Sequence, residues 1–402
     1  MKFLFEDESF SFETLRGAGF AVDGAADLSE MVVTAERIGE GDEVAWHREW
    51  KALADRIAGL GDASLKAGHT VSAKEAFLRA SNYYRMAEFF LRDDPFNNPD
   101  VVGLIKRSRE TFLQAAKFLG GPVEDVRIPY EGDSLPAYLF LVDDSGTPRP
   151  TIIYNNGFDS TREEAWGAIA AAALRRGYNV LAFDGPGHGQ ALREERKFFR
   201  HDWEAVITPI LDYAATRKEF AKDKMVLFGY SLGAYLVARA AAFDKRIAAL
   251  ILDDGMYDFF GAMKAIMPPF MVEWLEQGRD EEFASVAGLL MKGNTNLRWA
   301  LRNGAWTFGV DSYAEYLRQS RAYTLAGIID KIECPTLVME AEHDVFLKGQ
   351  AAEVDAGLKC PHKWVTFTEA QGAAAHCHMG AMRLAHQTMF DWLDETLAPK
   401  AG

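Results

Sequence analysis

Residues 225–243 read Met225-Val226-Leu227-Phe228-Gly229-Tyr230-Ser231-Leu232-Gly233, followed by the alanine-rich run from Ala234 to Phe243. The apolar start predicts a buried strand over 225–228, and the text after Ser231 predicts a helix over 232–243. Between them, glycine stands two positions before and two positions after the serine. So abrupt a strand-to-helix turn leaves no room for side chains at those two positions and lifts the serine hydroxyl above the sheet. The stretch therefore predicts a nucleophile elbow and, around it, a mostly parallel sheet.

The neighbouring text has the matching rhythm. After Pro122, strands are predicted at 123–128 and 135–142 around the Gly132-Asp133 turn, followed by a short run at 151–154. A helix over 163–176, a strand over 179–183, a helix over 201–220 and a strand over 247–252 then alternate, as right-handed crossovers of a parallel sheet require. The alternation lapses between Gly255 and Asp330, where Met256, Tyr257, Phe259, Trp299 and Trp306 belong to an aromatic-rich helical insertion. It resumes with strands at 335–339 and 364–367 and a last helix over 379–396. Before Pro122 the period is helical: Trp46, Trp50, Leu53 and Ile57 mark one helix. Ser72 with Glu75 forms a capping box for a second, and a third follows Pro99. Two units are expected: an N-terminal helical cap over 1–121, and a catalytic unit over 122–402 that carries the insertion at 255–330.

A serine hydroxyl attacks only when an imidazole takes its proton and a carboxylate fixes that imidazole. On a sheet of this kind the chain order is serine, acid, histidine. Asp344, just past the buried strand Pro335–Met339, is the candidate acid, with Glu342 as the alternative. His376, between the strand at 364–367 and the last helix, is the candidate base, with His378 as the alternative. Two backbone amides should hold the oxyanion. Leu232 supplies one, and Phe158, in the Asn155-Asn156-Gly157-Phe158-Asp159 loop, is the candidate for the other. Tyr230, Asp159, Tyr257 and Trp306 are candidate pocket residues.

Other chemistry is disfavoured. Asp184-Gly185-Pro186-Gly187-His188-Gly189 ends a strand but lacks the lysine and hydroxyl of a phosphate loop, so it is read as shaping the rim of the site. His376-Cys377-His378 has no second ligand pair at metal-site spacing, so neither a metal nor a cofactor is expected. The 402 residues carry 44 Lys+Arg against 59 Asp+Glu, a formal charge of −15, which argues against nucleic acid as a partner. Three scattered cysteines build no disulfide framework, and the apolar N-terminus is broken early by acids, so a cytoplasmic protein without membrane contact is expected.

Together, Arg79-Ala80-Ser81-Asn82-Tyr83-Tyr84-Arg85, Gly157-Phe158-Asp159-Ser160-Thr161-Arg162-Glu163-Glu164, Phe183-Asp184-Gly185-Pro186-Gly187-His188-Gly189, Gly-Tyr-Ser-Leu-Gly and Ala374-Ala375-His376-Cys377 resemble one branch of the α/β-hydrolase superfamily. That branch holds 2,6-dihydroxypseudooxynicotine hydrolase-like enzymes, fungal pigment polyketide-shortening hydrolases, and acylaminoacyl-peptidase or dipeptidyl-aminopeptidase-like proteins. The resemblance covers roughly residues 40–396. It implies an α/β-hydrolase fold, a Ser231-Asp344-His376 triad, N-terminal helices packed over the catalytic face, a small-molecule substrate and a homodimer. Ester, amide or thioester hydrolysis through an acyl-enzyme is the first expectation. Cleavage of a carbon–carbon bond beside a ketone is the second, and a non-catalytic binding module the third. The nicotine-degrading member carries a further glutamate after its sixth strand, for which Asp258–Lys264 offers no counterpart.

Overall fold

The computed structural model describes residues 2–398. Eight strands form one sheet: β1 (Val123–Tyr130), β2 (Asp133–Phe140), β3 (Arg149–Asn155), β4 (Asn179–Phe183), β5 (Phe220–Tyr230), β6 (Ala249–Asp253), β7 (Thr336–Ala341) and β8 (His362–Phe367). Their spatial order is β1-β2-β4-β3-β5-β6-β7-β8. β2 runs antiparallel to β1 and to β4, and every other pairing is parallel.

The central strands are apolar on both faces because helices cover both. In β5, Leu227 joins a core with Val206, Ile210 and Val237 of helices 204–216 and 232–243. Its neighbours Val226 and Phe228 point the other way, toward Met389 and Phe390 of helix 382–396. The two-residue period of a strand produces this division.

The N-terminal region holds helices at 8–19, 28–35, 43–66, 70–88 and 99–116. Trp46, Trp50, Ile57, Tyr83 and Tyr84 make its own buried core. Phe112 of helix 99–116 meets Tyr138 of β2 with ring centroids 5.1 Å apart, which seats this layer on the sheet. Several elements depart from the sequence expectation, among them helices 28–35 and 350–357, which it did not place. The helix assigned to Ser72 begins at Thr70, with His69 as its N-cap residue. The helix at 163–176 is a 3₁₀ turn at 162–164, a wide π turn at 166–170 and one α turn at 171–174, with the Thr161 amide donating to Glu164 Oε1 at its start. Helix 8–19 was not foreseen at all. Asp7, one of the acids that break the apolar N-terminus, caps it by accepting from the Ser9 and Phe10 amides.

Between β6 and β7 the insertion forms helices at 259–266, 269–277, 280–290, 295–308 and 313–320. Phe259, Met271, Phe283 and Leu301 bury into the same core as β5, so the insertion is packed onto the sheet's helix layer. No helix among the described residues is long and apolar enough to cross a membrane.

Candidate active site

The loops after β3, β5, β6, β7 and β8 converge where an open α/β sheet ordinarily receives ligands, at the carboxyl ends of its strands. Ser231 follows β5 with φ 57° and ψ −120°, a conformation that side chains disfavour. Its amide donates to the Asp253 carbonyl at 2.5 Å, which fixes the turn. The flanking glycines are obligatory by contact. A Cβ on Gly229 would strike the Gly233 carbonyl oxygen, and one on Gly233 would lie 2.5 Å from the Asn156 carbonyl oxygen. Gly229→Ala is therefore expected to destabilise the fold by about 3 kcal/mol or more, read as a lowered midpoint in thermal denaturation. An unchanged midpoint would mean that the turn has slack the contacts do not show.

The structure brings Ser231, His376 and Asp344 into one line. Ser231 Oγ lies 2.8 Å from His376 Nε2, and His376 Nδ1 lies 2.7 Å from Asp344 Oδ2. The other Asp344 oxygen accepts from the Phe346 and Leu347 amides at 2.7 and 2.9 Å. With a carboxylate at Nδ1, the neutral imidazole carries its proton there and leaves Nε2 to accept from the serine. Burial works against charge on both groups, but their mutual attraction prevails: the His376 pKa is raised well above the ordinary histidine value and Asp344 is driven far below the carboxylate range. The Phe346 and Phe12 rings flank the imidazole, with centroids 5.0 and 5.9 Å away.

A second carboxylate, unforeseen from the sequence, also faces His376. Asp254, just past β6, places Oδ2 3.3 Å from His376 Nδ1 and accepts from the Cys377 amide at 2.7 Å. Burial pushes its pKa up to about 6, against the lowering effect of His378 and His376. Asp254 lies four residues before the Asp258–Lys264 stretch that offers no glutamate. His378, the alternative base, is turned away from the serine. Its Nδ1 lies 3.3 Å from the Ala373 carbonyl and its Nε2 lies 3.0 Å from Asp253 Oδ1. Burial works against a proton on His378, but Asp253 and Asp254 beside Nε2 outweigh it and raise its pKa above the ordinary histidine value. Asp253, Asp254 and His378 are metal-capable donors close together, but they compensate one another's charge. Glu342, the alternative acid, receives the Glu369 amide at the surface.

The oxyanion candidates lie on either side of the serine. Leu232 opens helix 232–243, so its N–H has no partner within the helix. The β3 loop passes so close that a Cβ on Gly157 would sit 2.7 Å from the Tyr230 carbonyl oxygen and 3.3 Å from Ser231 Cβ. His188 lies 2.6 Å, by Nε2, from the Gly157 carbonyl oxygen. In a trans peptide the next N–H points opposite to that carbonyl, which directs the Phe158 amide away from His188. Burial lowers the His188 pKa to about 4, so it is a neutral donor. Asp184 holds the same loop through Asn156 Nδ2 at 3.1 Å and the Arg162 amide at 2.9 Å. The 184–189 segment thus braces the β3 loop, a role its reading as a rim did not assign.

Above the serine lies a cavity walled by Phe12, Phe158, Met256, Phe259, Trp299 and Met379, with Asp159 and Tyr230 also on its wall. Tyr257 and Trp306 are not among its walls, which corrects their assignment. The Tyr257 amide is drawn to Gln350 Oε1 and its carbonyl to the Leu325 amide. Trp306 lies two turns beyond Trp299, about 10 Å along the helix, beneath the guanidinium groups of Arg92 and Arg193.

Comparisons with known proteins agree with this architecture. A model of the Alpha/beta hydrolase family matches residues 156–384, and one described as Esterase FrsA-like matches residues 40–269. The chain is 34% identical to "Hydrolase LUC6" of Fusarium sp, covering 98% of this chain and 97% of that protein. It is 34% identical to "20-hydroxy-prefusarin hydrolase FUS2" of Gibberella moniliformis, with 99% and 98% covered. Among solved structures, 2,6-dihydroxy-pseudo-oxynicotine hydrolase superposes with a TM-score of 0.73 at 22% identity, covering 95% of this chain and 96% of that one. The chain belongs to the α/β-hydrolase family and is a hydrolase.

Proposed function

We propose that the protein hydrolyses a small or medium ester, amide or thioester by a Ser231-His376-Asp344 triad through an acyl-enzyme. The line of short contacts from Ser231 Oγ through the imidazole to Asp344 carries this reading. His376 takes the serine proton as Oγ attacks the carbonyl carbon. The developing oxyanion is held by the Phe158 and Leu232 amides. His376 then protonates the leaving group, and in the second half it activates the water that releases the acid. Asp344 keeps the imidazole oriented and steadies its cation, and Asp254 adds a second negative charge beside Nδ1. The apolar cavity suits an aromatic or branched acyl chain, and the N-terminal helices act as its cap through Phe12.

The experiment is a pre-steady-state measurement with p-nitrophenyl esters of arylalkanoic acids. A burst of p-nitrophenol equal to the enzyme concentration is expected, followed by slower turnover as the acyl-enzyme hydrolyses. The same preparation is offered β-diketones. Cleavage of those with esters left intact would show that the bond class proposed here is wrong.

A further inference from the structure

The cavity above Ser231 has one polar end, made by Ser9, Glu13 and Arg16 of helix 8–19 and by Asp159 and Ser160 of the β3 loop. An arginine on a cavity wall ordinarily suggests an anionic ligand, because a guanidinium matches a carboxylate. Here the protein's own groups engage all three guanidinium nitrogens. Of the five N–H groups of a guanidinium, Nε–H goes to Glu164 Oε2 at 3.0 Å. Nη1 reaches Glu13 Oε1 at 3.2 Å and Asp159 Oδ1 at 2.9 Å. Nη2 reaches Ser160 Oγ at 3.2 Å and Glu164 Oε2 at 2.7 Å. Arg85 pairs with Glu13 at 2.8 Å but is not part of this wall.

Of the two carboxylates on this wall, Glu13 has both oxygens paired with arginines, and Asp159 has one. Its Oδ1 accepts from Arg16, whereas Oδ2 accepts from no protein donor among the described residues, and the side chain is 15% exposed. Burial disfavours its charge, but Arg16 and Arg85 outweigh burial and hold it below the ordinary carboxylate range, so it is ionised at neutral pH. An ionised oxygen with an open coordination site, in a cavity whose other walls are mostly apolar, favours a donor and repels a second carboxylate.

We propose that this end of the cavity binds a hydrogen-bond donor on the substrate, a hydroxyl or an ammonium carried by an apolar body, and rejects a carboxylate at the same position. The proposal rests on the cavity being the substrate site of the hydrolase described above.

Titration calorimetry on the Ser231→Ala protein tests it without turnover, using 4-phenylbutan-1-ol, 4-phenylbutylamine and 4-phenylbutanoate as matched probes. The alcohol and the amine are expected to bind at least about tenfold more tightly than the butanoate. Asp159→Asn, which puts an amide in place of the carboxylate, is expected to abolish the amine's advantage. Butanoate binding as tightly as the amine, binding by none of the three, or an amine preference that survives Asp159→Asn each overturns the proposal. If Asp159→Asn does not fold, the three-probe comparison on the parent protein decides alone. Because these readouts are binding only, a donor preference without an acyl-enzyme would refute the mechanism and leave the subsite standing. An acyl-enzyme with the butanoate preferred would do the reverse.

Discussion

Ser231→Ala is expected to lower kcat by about a millionfold, the scale of loss seen when the nucleophile of a serine protease triad is removed. The loss is that large because His376 then has no hydroxyl to deprotonate, and the remaining oxyanion and binding contacts supply only residual rate enhancement. Folding should survive, since among the described residues the Ser231 side chain bonds only to His376 and the turn is held by the Ser231 amide on the Asp253 carbonyl. Ser231→Gly separates activity from strain. It should be equally inactive, yet melt above Ser231→Ala, because glycine accepts φ 57°, ψ −120° at little cost whereas other residues pay about 1–3 kcal/mol there. Progress curves and thermal melts of both variants supply the check. A residual rate within a hundredfold of the parent would remove Ser231 from the chemistry.

The second large effect divides the two carboxylates on His376. Asp344→Asn is expected to lower kcat by about 10,000-fold, as in a protease triad whose aspartate is made neutral, because the amide favours the wrong tautomer. Asp254 lies further from Nδ1, at 3.3 Å against 2.7 Å, and is spent partly on the Cys377 amide. Asp254→Asn should therefore cost only about tenfold at neutral pH by comparison. Its signature is in the pH profile. The rate requires neutral His376, so kcat/KM rises as pH increases through the pKa of that residue. Although burial opposes the charge, Asp344 and Asp254 both raise that pKa. Removing the Asp254 charge lowers it, and the acid limb moves to lower pH. A limb that stays in place would make Asp254 a structural group only. Asp254→Asn costing as much as Asp344→Asn would reverse their assigned ranks.

The sheet could be read from the sequence because its evidence is local. Strand and helix periods alternate on either side of Gly229–Gly233, and Gly229 is required by the turn's own Gly233 carbonyl, while Gly233 is required by the adjacent β3 loop. Asp344 and His376 were legible as candidates for the same reason, each lying just past a recognisable strand. What stayed hidden depends on contacts between distant segments. Helix 8–19 brings Phe12 and Arg16 to the site from a stretch whose acids were read only as interrupting an apolar run, although Asp7 before Phe10 was a usable cap signal. Asp254 directly follows an apolar strand, but its approach to His376 depends on how two loops meet, which no local pattern shows. Trp299 and Trp306 look alike in sequence. Two helical turns separate them, so one walls the cavity and the other lies under two arginines.

The central claim is that Ser231 is a nucleophile activated by His376. Incubating the folded protein with a fluorophosphonate and mapping the adduct by peptide mass spectrometry tests it most directly. The account predicts one label per chain, on the peptide containing Ser231, lost in Ser231→Ala and after heat denaturation. A folded, catalytically active preparation that carries no label on Ser231 would contradict it.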